Sequence, residues 1–275
     1  MKLAATALSS LALIVPGVAA AADCAVRAPG GLAKAGKLTI ATELAAPPHA
    51  FFDEDRVVGF AVEIGQALAR QMCREAEFVP VAFAGMLAGI NARKFDVIIA
   101  GVAITPEREQ SFDFVPYFQG GLRLIVEKST KLWFASENDL CGRKVATQTG
   151  LSAALGLERA SREVCPAGKK IVIMGYPSFS EAVRQLRKKA AEVAFVDWPF
   201  ANYLAQMVPD LALASPIFSE PPGGPRNKQG MAVRKGDRET AAALADALAR
   251  IQANGEYDRI LAKWNLSDGD IRRVQ

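Results

Sequence analysis

The stretch "AGVAITPERE" (residues 100–109) decides the fold, because it joins a buried strand to the start of a helix. The preceding "KFDVIIA" (94–100) is rich in β-branched and apolar residues, which predicts a buried β-strand. Thr105 can accept a backbone hydrogen bond as the N-cap residue, and Pro106 suits the first helical position. The two glutamates that follow complement the positive end of the helix dipole. A strand that leads directly into a helix is typical of α/β folds.

Arg108 is the unusual residue of this stretch, because the first turn of a helix disfavours a cation. One interpretation is a surface arginine balanced by its two glutamate neighbours. The other is that the helix N-terminus and the guanidinium bind one anion, since both suit a carboxylate or phosphate. Such a site would lie beyond the carboxyl end of a strand, where open α/β sheets bind ligands.

The composition of the whole chain indicates a globular protein of ordinary charge. With 275 residues, the chain is long enough for two domains. Hydrophobic residues make up 51% and charged residues 23%, which argues against disorder. The net charge of +4 is small and both signs are interleaved, so a dedicated nucleic-acid-binding protein is not expected.

The N-terminus has the features of a secretory signal peptide at residues 1–22. Lys2 is followed by a small and apolar stretch, and "VAAAAD" offers small residues for cleavage close to Ala22. Lipidation at Cys24 is disfavoured because Asp23 stands where a small residue is required. No later segment has 18 apolar residues in a row, so we expect an exported protein that is soluble after cleavage.

The four cysteines are expected to form disulfides, because the export signal implies an oxidising compartment. Three pairings are possible. Cys141 and Cys165 flank one strand–helix segment and are predicted to pair, which leaves Cys24 to pair with Cys73. The alternatives are free buried thiols or a metal site, but the spacings are wide and His49 is the single histidine.

The hydrophobic pattern contains two successive β/α sets, which predicts two α/β lobes with parallel strands in each sheet. The first set has strands at 37–42, 76–81 and 95–100 and helices at 60–73 and 84–93. The second set has strands at 142–148, 169–174 and 192–197 and helices at 149–162, 178–190 and 198–207. A linker-like stretch (219–230), a strand (231–235) and two helices (237–255 and 256–265) close the chain. Two lobes imply a cleft between them, where ligands often bind.

Several motifs carry a family likeness. The "G…ITPER" element ending at Arg108 is followed by "FDF" (112–114), and the C-terminal part contains "G-x-Y-D-x-I-x-x-K-W" (255–264). With them, the elements from about 37 to 265 stand in the order of one family. The chain resembles the bacterial extracellular solute-binding proteins of family 3, which are periplasmic amino-acid receptors of ABC importers.

The resemblance implies a two-lobed periplasmic-binding-protein fold of type II, in which each lobe is a sheet flanked by helices. It assigns lobe 1 to residues 37–116 plus 232–275 and lobe 2 to residues 122–226. The hinge segments would be residues 117–121 and 227–231, and the lobes would close on the ligand.

The resemblance also implies a site for an amino acid. Arg108 would bind the α-carboxylate, and Gly101 would line the same place with its backbone. Gly150 and Ser152, at the start of a lobe 2 helix, match positions that donate to the carboxylate. Asp197 matches the acceptor of the α-ammonium, although from sequence it could equally cap the helix that follows.

Other positions of the implied site are variable or unusual. Phe83 matches an apolar wall of the pocket, although from sequence alone it would be ordinary core. Ala103 stands where the family usually has Ser or Thr, Ala46 replaces an aromatic residue, and His49 replaces a frequent Phe. Glu43 aligns with an acidic residue that contacts ligand side chains in receptors for basic amino acids, and it is otherwise an exposed glutamate.

The expected function is therefore a receptor that binds a small solute, an amino acid, and delivers it to the permease of an ABC importer. We expect a monomer without cofactor, metal, nucleic acid or catalytic activity. One alternative is an accessory or signalling receptor that works with another membrane or periplasmic partner. Another is an enzyme similar to cyclohexadienyl dehydratase, with Glu43 or His49 as its acid or base.

Overall fold

The structure is a computed structural model that describes residues 24–150, 152–219 and 228–273. The side chains of Ser152 and Ala153 are not described. The predicted signal peptide (1–22) and most of the linker-like stretch (219–230) therefore lie outside the described residues.

The described residues alternate between strands and helices along most of the chain. The strands are β1 (Lys37–Thr42), β2 (Ala45–Ala46), β3 (Ala50–Asp53), β4 (Arg56–Val58), β5 (Glu75–Pro80), β6 (Val97–Ile98), β7 (Phe112–Gln119), β8 (Leu122–Glu127), β9 (Lys144–Gln148), β10 (Val172–Tyr176), β11 (Val193–Asp197), β12 (Leu211–Leu213) and β13 (Lys228–Arg234). The α-helices are α1 (Phe60–Gln71), α2 (Phe83–Asn91), α3 (Pro106–Glu109), α4 (Ser152–Glu163), α5 (Phe179–Arg187), α6 (Trp198–Met207), α7 (Arg238–Ala253) and α8 (Glu256–Lys263).

Two five-stranded sheets define the two lobes. The lobe 1 sheet has the order β5-β1-β6-β13-β7, and the lobe 2 sheet has the order β10-β9-β11-β8-β12. In each sheet, the three strands that the sequence predicts for one β/α set pair in parallel, as expected: β5, β1 and β6 in lobe 1, and β10, β9 and β11 in lobe 2. The remaining strands of each sheet pair antiparallel, so both sheets are mixed. A small antiparallel sheet of β2, β3 and β4 was not predicted.

Helix α1 supplies much of the lobe 1 core. Its residues Phe60, Ile64 and Leu68 recur every four positions, as the sequence predicts, and each is fully buried. They pack in one cluster with Ile40 of β1 and Leu244 of α7. Burial of each large side chain contributes about 1.5–3 kcal/mol.

The lobe 2 sheet buries both of its faces, because neighbouring residues of its strands enter different clusters. Leu124 and Phe195 pack on one face, whereas Ile125 and Val196 pack on the other face with Phe200 of α6. This alternation follows from the two-residue period of a β-strand.

The chain passes from one sheet to the other between Gln119 and Leu122. Gly121 has φ +139°, and a Cβ there would lie 2.6 Å from Ile217 Cγ2, so a larger residue does not fit. Strand β13 pairs with β7 from Lys228 onward. Residues 228–231, assigned by resemblance to the second hinge segment, thus already belong to the lobe 1 sheet.

Both disulfides of the expected pairing are present, Cys24–Cys73 and Cys141–Cys165. The first ties the start of the described chain to the end of α1. The second lies at the lobe 2 core, where both cysteines pack against the same cluster. Within the described ranges, no three His, Cys, Asp or Glu side chains form a group that could hold a metal ion. Over the same ranges, no helix is both long and apolar enough to cross a membrane.

Candidate functional site

Residues of both lobes line a small cavity at the cleft. Lobe 1 contributes Glu43, His49 and Gly101, and lobe 2 contributes Gln148 and Asp197. The cavity volume is about 20 Å³, close to the space that one water molecule needs. The two lobes are therefore in close contact across the cleft.

Arg108 is held at the N-terminus of α3 by the arrangement that the sequence predicts. The Thr105 side chain accepts a hydrogen bond from Arg108 N at 3.3 Å, and Pro106 occupies the first turn. Arg108 Nη1 donates to Ala103 O at 2.9 Å, and Nη2 donates to Gly150 O of lobe 2 at 3.2 Å. The guanidinium thus spans the cleft between backbone carbonyl groups of the two lobes.

Phe83 forms a wall beside the guanidinium. Its ring centroid lies 5.9 Å from Arg108 Cζ, and a Cβ on Gly150 would lie 3.8 Å from the same ring. Phe83 is 5% exposed and also belongs to a core cluster of lobe 1. It is therefore both a core residue and a neighbour of the cleft.

The N-terminus of α4 faces this region from lobe 2. Gly150 has φ +83° and lies two positions before Ser152, the first residue of α4. The side chain of Ser152 lies outside the described residues, so its predicted role stays a prediction.

Asp197 occupies the N-cap position of α6 but makes no capping hydrogen bond with its side chain. The alternative that it serves as a helix cap therefore has no support in the geometry. Its Oδ2 atom instead lies 3.5 Å from Gln229 Nε2 and 3.9 Å from His49 Nε2. The side chain is 13% exposed and points toward lobe 1.

Gly101 brings backbone next to this carboxylate. It has φ +67°, and a Cβ on it would lie 3.2 Å from Asp197 Oδ2. Ala103, two residues further on, contributes its carbonyl oxygen to Arg108 rather than a side-chain contact. The segment 101–103 thus connects the surroundings of Asp197 to those of Arg108.

Glu43 and Gln148 form a second polar contact across the cleft. Gln148 Nε2 lies 3.1 Å and 2.9 Å from the two carboxylate oxygens of Glu43. Burial raises the pKa of the Glu43 carboxyl, and the hydrogen bond from Gln148 partly offsets that effect. Glu43 is thus a half-buried acid, not the exposed glutamate of the alternative interpretation.

His49 and Gln229 were not predicted to contact the neighbourhood of Asp197. His49 is 5% exposed, and its ring meets Phe60 and Phe118 edge-on at 5.8 Å and 5.7 Å. Burial lowers the pKa of the imidazole to about 4, so it is neutral at pH 7. The sequence indicated His49 as a departure from a frequent Phe and as a candidate acid or base of the alternative enzyme, and it gave no indication of Gln229.

A larger pocket of about 600 Å³ lies beside the contact between Arg108 and Gly150. Thr105, Leu155 and Glu158 are among its lining residues. Arg108 therefore borders this pocket as well as the cleft contact.

Comparison with known proteins gives one consistent family. Residues 38–267 match the family described as bacterial extracellular solute-binding proteins, family 3. The L-cystine-binding protein TcyJ of Escherichia coli K12 is 30% identical over 232 residues, which is 83% of this chain and 82% of that protein. The L-arginine-binding protein of Pseudomonas aeruginosa is 32% identical over 82% of this chain and 86% of its own length.

Solved structures support the two-lobed fold. An ancestral arginine-binding protein bound to arginine has a TM-score of 0.74 at 30% identity, covering 83% of this chain and 98% of its own. The ancestral amino acid-binding protein AncCDT-1, a precursor of cyclohexadienyl dehydratase, has a TM-score of 0.72 at 29% identity, covering 83% and 95%.

Proposed function

Because the chain belongs to the bacterial extracellular solute-binding proteins of family 3, we propose that it binds an amino acid between its lobes and delivers it to an ABC importer. The observation that carries the proposal is the placement of two opposite charges on opposite lobes. Arg108 lies on lobe 1, Asp197 lies on lobe 2, and the segment 101–103 contacts both. A zwitterion between them would satisfy both charges at once.

The α-carboxylate belongs at Arg108 in this proposal. The guanidinium now donates to neutral carbonyl oxygens of Ala103 and Gly150. A carboxylate would replace them with charge-assisted hydrogen bonds, which are roughly twice as strong. The N-terminus of α4, with Gly150 and Ser152, would add backbone N–H donors from lobe 2.

The ligand side chain belongs near Glu43. The cavity lining includes two acidic side chains, Glu43 and Asp197, whereas Arg108 brings one positive charge to the edge of the cleft. A ligand with net charge +1 would balance this arrangement, which favours arginine or another cationic amino acid. A glutamine side chain could also donate to Glu43, as Gln148 Nε2 does.

We also propose export to the periplasm, a permease partner, and closure about residues 117–121 and 227–231. The predicted signal peptide and the two disulfides support an oxidising compartment. The mass of the mature protein from the periplasmic fraction tests the cleavage site. Small-angle scattering with and without ligand tests closure, and an unchanged radius of gyration at saturation would contradict it.

A thermal-shift screen tests the ligand class. The panel contains the 20 common amino acids, L-cystine, polyamines and dicarboxylates. A ligand present at 100 times its dissociation constant adds about 2.7 kcal/mol to the free energy of unfolding. We expect arginine to give the largest shift. If no amino acid stabilises the protein, the receptor assignment is wrong. Incubation with prephenate or arogenate provides a second check, because product formation would instead indicate an enzyme.

A further inference from the structure

The part of lobe 1 that faces Asp197 has no hydroxyl at position 103, because Ala103 carries only a methyl group. We propose that Gln229 and His49 complete the α-ammonium subsite around Asp197, so that three acceptors select a primary amine. This inference rests on the proposed amino-acid function. It assigns a specificity role to Gln229, which the sequence did not place in the site, and to His49, which the sequence indicated without a role in amine binding.

Gln229 lies directly opposite Ala103 in the backbone pairing. Ala103 and Gln229 form an antiparallel bridge, and it is flanked by the hydrogen bonds Gly230 N to Val102 O and Ile104 N to Lys228 O, both 2.9 Å. Directly opposed residues of antiparallel chains place their side chains on the same face. The Gln229 amide can therefore reach the space that a longer side chain at position 103 would fill.

The Gln229 amide and the Asp197 carboxylate converge on one point. A Cβ built on Gly101 would lie 3.2 Å from Asp197 Oδ2, 3.3 Å from Gln229 Nε2 and 3.4 Å from Gln229 Oε1. Gln229 is 1% exposed, and its Oε1 has no hydrogen-bond partner among the described residues. A buried acceptor without a partner is costly, and a ligand N–H would relieve that cost. Rotation of the amide presents Oε1 to the same point.

His49 approaches Asp197 from another side. Its Nε2 lies 3.9 Å from Asp197 Oδ2, too far for a hydrogen bond. Within the described part of the chain, neither ring nitrogen has a hydrogen-bond partner. The backbone is fixed by the bonds His49 N to Ala46 O and Ala61 N to His49 O, both 2.8 Å. A neutral imidazole has one nitrogen with a free lone pair, which can accept from an ammonium.

The three groups match the donors of a primary ammonium. Such a group has three N–H donors, and the carboxylate, the amide oxygen and the imidazole nitrogen are three acceptors. An N-methyl group would remove one donor and place a methyl against a buried acceptor. A desamino analogue would supply no donor to Gln229 Oε1 or to the His49 ring, which have no hydrogen-bond partner among the described residues. The site should therefore prefer a primary ammonium over a methylated or absent amine more strongly than Asp197 alone would.

Titration calorimetry on the full mature chain tests the inference. The probes are L-arginine and L-glutamine, each with its desamino analogue, together with Nα-methyl-L-arginine. The variants are His49→Phe, which keeps an aromatic ring, and Gln229→Leu, which keeps the approximate volume. Gln66→Leu on the exposed face of α1 is the matched control.

We expect each site variant to weaken binding of the amino acid by about tenfold, since one hydrogen bond to a charged group is worth about 1.5 kcal/mol or more. Binding of the desamino analogue should change by less than about twofold, and the control should match the wild type. Nα-methyl-L-arginine should bind the wild type more weakly than arginine. An equal loss for the amino acid and its desamino analogue would overturn the inference, because it would indicate a structural role.

The two proposals fail in different ways. A wild type that binds arginine or glutamine while both variants bind them unchanged would overturn only the ammonium subsite. A wild type that binds no amino acid would overturn the receptor function and the subsite with it. Each variant tests the subsite independently, and its melting temperature without ligand shows whether it is folded.

Discussion

The two ends of the cleft differ in how their polar groups are satisfied. At one end, Arg108 donates to Ala103 O and Gly150 O. At the other end, Asp197 lies 3.9 Å from His49 Nε2, and the buried Gln229 Oε1 and both His49 nitrogens lack hydrogen-bond partners among the described residues. We call these the guanidinium end and the carboxylate end.

This difference separates two energetic roles. A ligand carboxylate at the guanidinium end exchanges neutral hydrogen bonds for charged ones, so its binding must compete with contacts already made. A ligand ammonium at the carboxylate end supplies donors to Gln229 Oε1 and the His49 ring, which have no hydrogen-bond partner among the described residues, so its binding removes a cost present in the folded protein. The guanidinium end should therefore affect affinity alone, whereas the carboxylate end should affect both affinity and stability.

The largest effect is expected from Arg108→Ala. A ligand carboxylate left without its partner costs about 2–5 kcal/mol, which is about 30- to 4,000-fold in affinity at 1.4 kcal/mol per decade. The melting temperature of the ligand-free protein should change little, because Arg108 is only half-buried and its guanidinium donates to neutral backbone carbonyl groups of Ala103 and Gly150. Calorimetry gives the affinity and differential scanning gives the melting temperature. A large drop in melting temperature with unchanged affinity would contradict this expectation, because it would show that Arg108 contributes to stability and not to ligand binding.

The next largest effect is expected from His49 and depends on pH. Its folded-state pKa of about 4 lies below the ordinary value of 6.5, so the unfolded chain takes up the proton first. The free energy of unfolding should therefore fall as the pH falls from about 6.5 to about 4, by up to about 3 kcal/mol. His49→Phe should lack this loss.

Denaturant unfolding of both proteins at pH 7, 6, 5 and 4 measures the difference. Glu43 contributes in the opposite direction, because a raised acid pKa favours the folded state as the pH falls. That contribution is common to both proteins and cancels in the comparison. If the free energy of unfolding changes with pH in the same way in both proteins, protonation of His49 is not the cause of the loss.

A smaller effect is expected from Asp197→Asn. The amide still accepts one hydrogen bond, so the loss should be about 1.5 kcal/mol, or about tenfold in affinity. The desamino analogue should bind the variant as it binds the wild type. If the wild type binds the desamino analogue as tightly as the amino acid, Asp197 does not recognise an amine and simple carboxylates become the candidate ligands.

The smallest effect is expected from Glu43→Gln. Loss of one partly solvated charge pair should weaken arginine binding by about 1 kcal/mol, or about fivefold. Glutamine binding should be almost unchanged, because the neutral ligand side chain makes no charge pair with Glu43 and the amide of the variant can still accept its hydrogen bond. An equal loss for both ligands would show that Glu43 does not select for charge.

Elements with strong local patterns were predicted well from the sequence. The four-residue spacing of Phe60, Ile64 and Leu68 placed α1, and the Thr105–Pro106 pair placed the start of α3. The short strands β2, β3 and β12 have only two to four residues, which is too few for a periodic pattern. Their pairing depends on tertiary contacts that the local sequence does not encode.

In the candidate site as well, some contacts follow from the local sequence and others depend on tertiary structure. The surroundings of Arg108 follow from neighbouring residues, so the sequence could indicate them. The contact between Glu43 and Gln148 joins residues 105 positions apart, and that between Asp197 and Gln229 joins residues 32 positions apart. Gln148 and Gln229 each follow an ordinary strand pattern, and only the approach of the two lobes brings them to the cleft.

Trp198 of lobe 2 has a consequence for the order of ligand capture. Its ring stacks on Phe118 of lobe 1 at 5.7 Å, and its Nε1 donates to Gln119 O at 3.2 Å. Trp198 N also donates to Gly121 O at 3.1 Å, so the first residue of α6 is hydrogen-bonded to the segment where the chain passes from one sheet to the other.

If the lobes rotate about that segment, residues close to it move a short distance and residues far from it move a long distance. Asp197 is the residue before Trp198, so the amine-binding groups would stay nearly assembled in the open form. The arriving amino acid would dock by its nitrogen first, and the swing of lobe 2 would then bring Gly150 to its carboxylate.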